Sequence, residues 1–148
     1  MELDAQQVRA RYILNFVKYI TWPPRDADEG EKFRVMVLDN APLKSALDAV
    51  LLGKTFEGKP AEAVAKSGSG QVLYVRETDR ERLSGILSKV GKGTVTIGEG
   101  PGFLARGGMI EFNISEGRVR FSVNLPALRQ GGFSVDAKLL TAAHEVRK

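Results

Sequence analysis

Residues 109–124 read MIEFNISEGRVRFSVN, and this stretch decides how the last third of the chain folds. Apolar and polar side chains alternate strictly on either side of Glu116-Gly117, which is typical of two antiparallel strands joined by a tight turn. A slip of one residue would move every side chain to the opposite face, so the alternation predicts one register. That register pairs Ser115 with Arg118, Ile114 with Val119, Phe112 with Phe121 and Ile110 with Val123.

The second face of the predicted hairpin is polar and carries the candidate ligand site. In this register Glu111 lies opposite Ser122 and diagonal to Arg120 and Asn124, within reach of long side chains. A carboxylate beside a guanidinium can bind a zwitterion or a nucleotide, so we expect these four residues to line a small-molecule pocket. The alternative is an ordinary solvent-facing sheet whose ion pairs contribute about 0–1 kcal/mol each. Two further candidates for the site are Arg118 and Lys18.

The middle of the chain predicts a parallel sheet. Short apolar runs suit buried strands, and amphipathic segments follow two of them as helices, one at 43–52 and one capped by Thr78 with Glu81 three residues later. Strand followed by helix followed by strand implies parallel neighbours. The strands are predicted at 33–38, 72–75 and 94–97, with a weaker edge strand at 61–66.

Helices are predicted at both termini. The first starts at Asp4 and ends near Trp22, because Pro23 and Pro24 disfavour helical geometry, and a polar, exposed loop follows at 26–31. The second is amphipathic, covers 135–146 and is capped by Ser134 or Asp136. We therefore expect residues 1–148 to form one α/β domain with three layers: a mixed sheet, parallel at its centre and ending in the antiparallel hairpin, with the terminal helices packed on it.

The first helix also offers a candidate surface for a partner or a second copy of the chain. Its apolar residues cover much of its circumference, and a large amphipathic ring follows at its end. We predict a homodimer or partner surface there, and the alternative is burial between the sheet and another helix. The candidate residues are Tyr12, Phe16, Tyr19 and Trp22.

Composition favours small anionic ligands, an acidic partner or anionic lipid head groups over nucleic acid. The net charge is +4, and the 22 Lys and Arg are interleaved with 18 acids rather than concentrated. There is no Cys, which excludes thiol nucleophiles, disulfides and thiolate metal sites. The N-terminal Met-Glu-Leu-Asp lacks the features of a signal peptide, so if the protein is exported we expect the signal to have been trimmed.

No catalytic, metal or cofactor site is predicted. The loop at 98–102 lacks the Gly-Lys-Ser/Thr ending of a phosphate-binding loop, and Ser69 lacks the outer glycines of a nucleophile elbow. Asp39 ends a strand as in a receiver domain, but the strand at 72–75 ends without the phosphoacceptor Asp, so a turn or cap is favoured. His144 is the only histidine and has no second ligand to share a metal.

Four segments in a fixed order carry a resemblance to a known family. They are YILNFVKYITWP at 12–23, GPGFLARGGMIEF at 100–112, VRFSVNL at 119–125 and GFSVDAKLL at 132–140. Together they resemble the YfiR-like family of bacterial periplasmic regulators over nearly the whole chain. The main departure is Glu111, where the family more often has Asn, and this change puts the ligand preference in doubt.

The resemblance implies a periplasmic protein that represses a membrane-bound diguanylate cyclase, and so lowers the cyclic di-GMP signalling associated with biofilms. It further implies that an outer-membrane lipoprotein relieves the repression by sequestering the protein. The alternative function is a cytoplasmic small-molecule-binding or receiver-like signalling module. A signal peptide encoded upstream would favour the periplasmic regulator over that alternative.

Overall fold

The computed structural model describes residues 4–24, 32–76 and 79–148. The predicted loop at 26–31 and the predicted cap Thr78 lie outside these residues. In chain order, the helices and strands are α1 (Ala5–Tyr19), β1 (Ile20–Thr21), β2 (Phe33–Leu38), α2 (Ala41–Leu51), β3 (Thr55–Phe56), β4 (Lys59–Val64), β5 (Val72–Val75), α3 (Arg80–Ser88), β6 (Val95–Glu99), β7 (Ile110–Ser115), β8 (Arg118–Asn124), α4 (Leu125–Gln130), β9 (Ser134–Val135), α5 (Ala137–Ala142) and β10 (Glu145–Arg147).

The main sheet has eight strands in the order β10-β8-β7-β6-β5-β2-β4-β3, which confirms the mixed α/β fold. Strands β4, β2, β5, β6 and β7 are parallel neighbours, whereas β8 is antiparallel to β7. The hairpin has the predicted register, with Ser115 opposite Arg118 and Phe112 opposite Phe121. The strand predicted at 61–66 is β4, but the sheet edge on that side is the two-residue β3, which folds back antiparallel on β4.

Helices cover the two faces of the sheet unequally. One face packs on α1, α2 and α5, because alternate residues of each strand, such as Val35, Tyr74 and Ile97, share a core cluster with Phe16 and Leu47. The opposite face is covered by α3 and a short 3₁₀ turn at Leu104–Arg106, and its core cluster is much smaller. Its buried members are Met36, Leu73, Val75, Leu83, Phe103 and Leu104.

The first helix begins as predicted but ends earlier. The side chain of Asp4 accepts a hydrogen bond from the backbone N–H of Gln7, and the Gln7 side chain accepts one from the backbone N–H of Asp4, which forms a capping box. The helix ends at Tyr19 rather than near Trp22, because Ile20 and Thr21 are extended and pair with β9 in a small antiparallel ribbon.

The C-terminal prediction is wrong in extent. Asp136 caps α5 by accepting from the N–H of Lys138 at 2.8 Å, as predicted, but the helix ends at Ala142. Residues 145–147 instead form β10, which runs parallel to β8 and covers its outer edge. The backbone N–H of His144 donates to the carbonyl of Phe121 at 2.8 Å, so His144 belongs to this crossover and not to the end of a helix.

Candidate functional site

The apolar face of the hairpin is occupied by α1. The rings of Phe16 and Phe121 lie 4.9 Å apart, centroid to centroid, and Tyr12 lies 5.2 Å from Phe121. Phe112 completes the cluster at 5.9 Å from Phe16. A ligand site on this hairpin is therefore confined to its polar face, which lies on the α3 side of the sheet.

Glu111 is buried on that polar face, with 7% of its surface exposed. Its Oε1 accepts from the backbone N–H of Leu104 at 3.1 Å, and its Oε2 accepts from the Nδ2 of Asn113 at 2.9 Å. A Cβ atom at Gly100 would lie 2.7 Å from Oε2, so the chain approaches this carboxylate as closely as a glycine allows. Glu111 ties the 3₁₀ turn to the sheet and is not an open ligand group.

Arg120 is the polar residue of this face whose hydrogen bonding is incomplete. It is half-buried on β8 opposite Asn113, and its Nε is buried without a hydrogen-bond partner among the described residues. A buried, unpaired N–H group of a charged side chain is costly unless an acceptor approaches it. Ser122, also buried, lies opposite Glu111 as the register predicts.

Asn124 has a structural role that the sequence analysis did not identify. Its side-chain oxygen accepts from the N–H of Ala127 at 3.2 Å and caps α4, a helix that was not predicted. Its Nδ2 donates to the carbonyl oxygens of Leu104 and Gly108, at 3.4 and 3.3 Å. The prediction that Asn124 lines an open pocket is corrected, because both ends of its amide are already hydrogen-bonded.

The remaining two candidates lie away from this cluster. Arg118 is exposed at the turn end of the hairpin, on the same strand as Arg120. Lys18 is exposed in the last turn of α1, which packs on the apolar face of the hairpin, so the sheet separates Lys18 from Glu111 and Arg120. Lys18 is therefore not part of the polar face.

The four residues predicted to form a partner surface are mostly enclosed by this chain itself. Phe16 is 1% exposed and Trp22 is 5% exposed, and the indole N–H of Trp22 donates to the carbonyl of Gln71 at 3.1 Å. Tyr12 and Tyr19 are half-buried. Their placement on an exposed surface is thus corrected for Phe16 and Trp22, because α1 lies between the sheet and its neighbouring helices. The homodimer itself stays a prediction.

A polar cluster that the sequence analysis missed lies at the carboxyl ends of β5 and β6. The Nε and Nη2 of Arg9 lie 2.7 and 3.3 Å from the two carboxylate oxygens of Glu99, and both side chains are nearly buried. The hydroxyl of Tyr74 donates to Glu99 at 2.6 Å and accepts from the Nδ2 of Asn40 at 3.2 Å. Burial, followed by the bond to Glu99, raises the pKa of Tyr74 well above its usual value.

One signal in the sequence could have revealed this cluster. Arg9 stands four residues before Ile13 and seven before Phe16, on the buried stripe of α1. A charged residue on such a stripe requires a partner of opposite charge. The partner was not identifiable from the sequence, because Glu99 is 90 positions away in a glycine-rich segment.

The structure defines a class of protein: a mixed α/β domain with an eight-stranded sheet, whose buried polar side chains link distant elements of the chain. In residues 4–24, 32–76 and 79–148, no group of three or more His, Cys, Asp or Glu is placed to hold a metal ion. No described helix is both long and apolar enough to cross a membrane.

Asp39 lies in a turn with φ of 57° between β2 and α2, and the neighbouring Asn40 caps α2.

Comparison with known proteins then gives the family. The model of the YfiR/HmsC-like family, DUF4154, matches residues 6–144, so the chain belongs to this family. The family consists of periplasmic regulators of diguanylate cyclase signalling rather than enzymes.

A solved structure shares the fold. It is the crystal structure of a conserved domain protein from Vibrio cholerae O1 biovar eltor str. N16961, with a TM-score of 0.62 and 11% identity. The match covers 99% of this chain and 61% of that one, so this chain spans less than two thirds of its solved relative. No curated protein sequence matches the chain.

Proposed function

We propose that this protein represses a membrane-bound diguanylate cyclase by non-covalent contact in the periplasm, and so lowers the synthesis of cyclic di-GMP. The observation that carries the proposal is the family match over residues 6–144, which includes nearly all of the described fold. An outer-membrane lipoprotein that sequesters the protein would relieve the repression and promote biofilm formation. Repression by contact requires only a rigid surface, and the eight-stranded sheet with its packed helices provides one.

The repression is tuned, in this proposal, by a small anionic or zwitterionic ligand that Arg120 anchors. The Nε of Arg120 is buried and lacks an acceptor within the described part of the chain, and a carboxylate or phosphate supplies such an acceptor with opposite charge. The carboxylate of Glu111 lies on the neighbouring strand and is held in place by two hydrogen bonds. The proposal therefore rests on the contact between Arg120 and the negative group of an anion or a zwitterion, and not on Glu111 as a second ligand group.

The regulatory proposal is tested by capture and then by activity. Immobilised protein is incubated with the solubilised membrane fraction of its source bacterium, and retained proteins are identified by mass spectrometry. A diguanylate cyclase that is retained is then reconstituted in vesicles, and its conversion of GTP to cyclic di-GMP is measured with increasing amounts of the regulator. We expect activity to fall to a plateau. Absence of any cyclase from the eluate, or an unchanged rate at saturation, contradicts the proposal.

The ligand proposal is tested by thermal shift with a panel of amino acids, nucleotides and other small anions. Arg120→Ala should abolish the shift that a hit produces in the parent protein, because it removes the anchoring cation. Arg118→Ala is the matched control, since Arg118 lies on the same strand but is exposed, and it should respond like the parent. Equal shifts in all three proteins, or no shift from any compound, would rule out an Arg120 site.

The homodimer is a separate part of the proposal. The half-buried Tyr19 remains available on the surface of α1, whereas Phe16 does not. Sedimentation velocity of Tyr19→Glu should show a monomer where the parent shows a dimer, because a charge placed within an apolar contact disfavours association. A folded variant that remains dimeric would show that this side of α1 is not the interface.

A further inference from the structure

A cavity of about 470 Å³ lies between α3 and the sheet, on the face opposite α1. Its floor is formed by side chains of β2 and β5, and its wall by α3 and the two residues that follow this helix. Cavities of this size with mainly apolar walls and a few polar groups are typical of small-molecule sites. The lining residues are Met36, Leu38, Ser67, Gly68, Leu73, Arg82, Gly85, Ile86, Lys89, Val90 and Thr94.

The sequence of α3 keeps this cavity open. Gly85 stands within the helix and lines the cavity, and a Cβ atom added there would meet nothing within 4 Å. A glycine within a helix costs about 1 kcal/mol relative to alanine, so local stability alone would favour a larger residue. Gly85 is exposed at the rim of the cavity, so it leaves open a space that a larger side chain would occupy.

The cavity combines an apolar floor with a basic mouth. Leu38, Leu73 and Val90 supply apolar surface, whereas Lys89 and Arg82 are exposed and lie at its edge. Among the described residues that line the cavity, none is acidic. Two backbone carbonyl oxygens near the end of α3 are already hydrogen-bonded. That of Ile86 accepts from the N–H of Lys89, and that of Leu87 accepts from the N–H of Val90.

We propose that this cavity binds an aliphatic monocarboxylate, with its chain over Leu38 and Leu73 and its carboxylate beside Lys89. The apolar floor selects the chain by burial, and the basic mouth selects the negative charge. The site is distinct from the proposed Arg120 site, since neither Arg120 nor Glu111 lines this cavity. It does not depend on the regulatory role, because it rests on the shape and charge of this cavity alone.

The proposal is tested by calorimetric titration with hexanoate, octanoate and decanoate. Each added methylene should raise the affinity about fourfold until the chain fills the cavity. Octylamine, which carries the opposite charge, should bind more weakly than octanoate. Gly85→Leu should weaken octanoate binding at least tenfold by filling the cavity, and Lys89→Gln should weaken it by up to about fivefold. The matched controls Ser88→Leu and Lys92→Gln alter residues outside the cavity and should bind as the parent does.

A measurement on the parent protein keeps the test valid if Gly85→Leu does not fold. With ¹³C-methyl methionine labelling, octanoate should shift the methyl signal of Met36, which lines the cavity. The signal of Met109, which lies outside the cavity, should stay unchanged. The proposal is overturned if octanoate fails to bind at millimolar concentration, if it moves the signals of Met36 and Met109 equally, or if folded Gly85→Leu binds it like the parent.

Discussion

Replacement of Arg9 by Met tests whether the ion pair with Glu99 fixes α1 to the sheet. The two side chains are only 11% and 16% exposed, and the pair is bidentate, at 2.7 and 3.3 Å. The variant leaves the Glu99 carboxylate nearly buried, with the Tyr74 hydroxyl as its remaining partner among the described residues. Removal of one member of a buried pair costs about 3–5 kcal/mol, and the slight exposure places our expectation near 3 kcal/mol. For a chain of this length, that corresponds to a fall in melting temperature of about 6–12 °C.

The loss is measured by urea unfolding followed through the fluorescence of Trp22, the single tryptophan, which is 5% exposed and lies between the rings of Phe33 and Phe133. The matched control is Arg34→Met. Arg34 pairs with Glu62 at 2.8 Å, but these side chains are 43% and 30% exposed, so we expect a loss of about 0–1 kcal/mol. If Arg9→Met is no more destabilising than Arg34→Met, the ion pair does not hold the helix and our reasoning is refuted.

Two further predictions concern the core and its response to pH. Gly98→Ala should lower the free energy of unfolding by about 1–3 kcal/mol, because the new Cβ would collide with the Phe103 ring. Gly85→Ala should instead raise it by up to about 1 kcal/mol, because Gly85 lies within α3 and the new Cβ would meet nothing. Equal effects of the two substitutions in urea unfolding would contradict this. The raised pKa of Tyr74 means that its contribution is fully present below pH 10 and is lost as the pH rises further, by about 1.4 kcal/mol per pH unit. Unfolding of the parent should therefore show a steeper alkaline loss than Tyr74→Phe, and parallel curves would exclude the burial of this hydroxyl as the cause.

The register of the hairpin was predictable because strict alternation allows only one pairing that keeps one face apolar. The C-terminal segment was not, since Leu139, Leu140, Ala143 and Val146 fit a helical stripe, and local spacing does not show that β8 has a free edge. Pairing with that edge converts residues 145–147 into a strand. The helix α4 was missed for a similar reason: Asn124 was interpreted as the last residue of a strand, whereas it both ends β8 and caps the next helix.

The candidate site was predicted by position but not by environment. Alternation places Glu111, Arg120 and Ser122 on one face, and the structure brings them together there. Alternation does not show which segment covers that face. In the structure the 3₁₀ turn at Leu104–Arg106 lies against it, and the backbone N–H of Leu104 donates to Glu111. The polar cluster around Arg9 and Glu99 joins elements that are distant in sequence. Only the tertiary structure therefore identifies Glu99 as the partner of Arg9.

The two outer strands of the sheet, β3 and β10, are two and three residues long, and this limits how the sheet can grow. A long, flat edge offers a row of unpaired backbone groups to another chain, which leads to aggregation. Here β10 also places Glu145 and Arg147 along its edge, where charged side chains oppose edge-to-edge pairing. Short, charged borders of this kind oppose the addition of a strand from another chain at either end of the eight-stranded sheet.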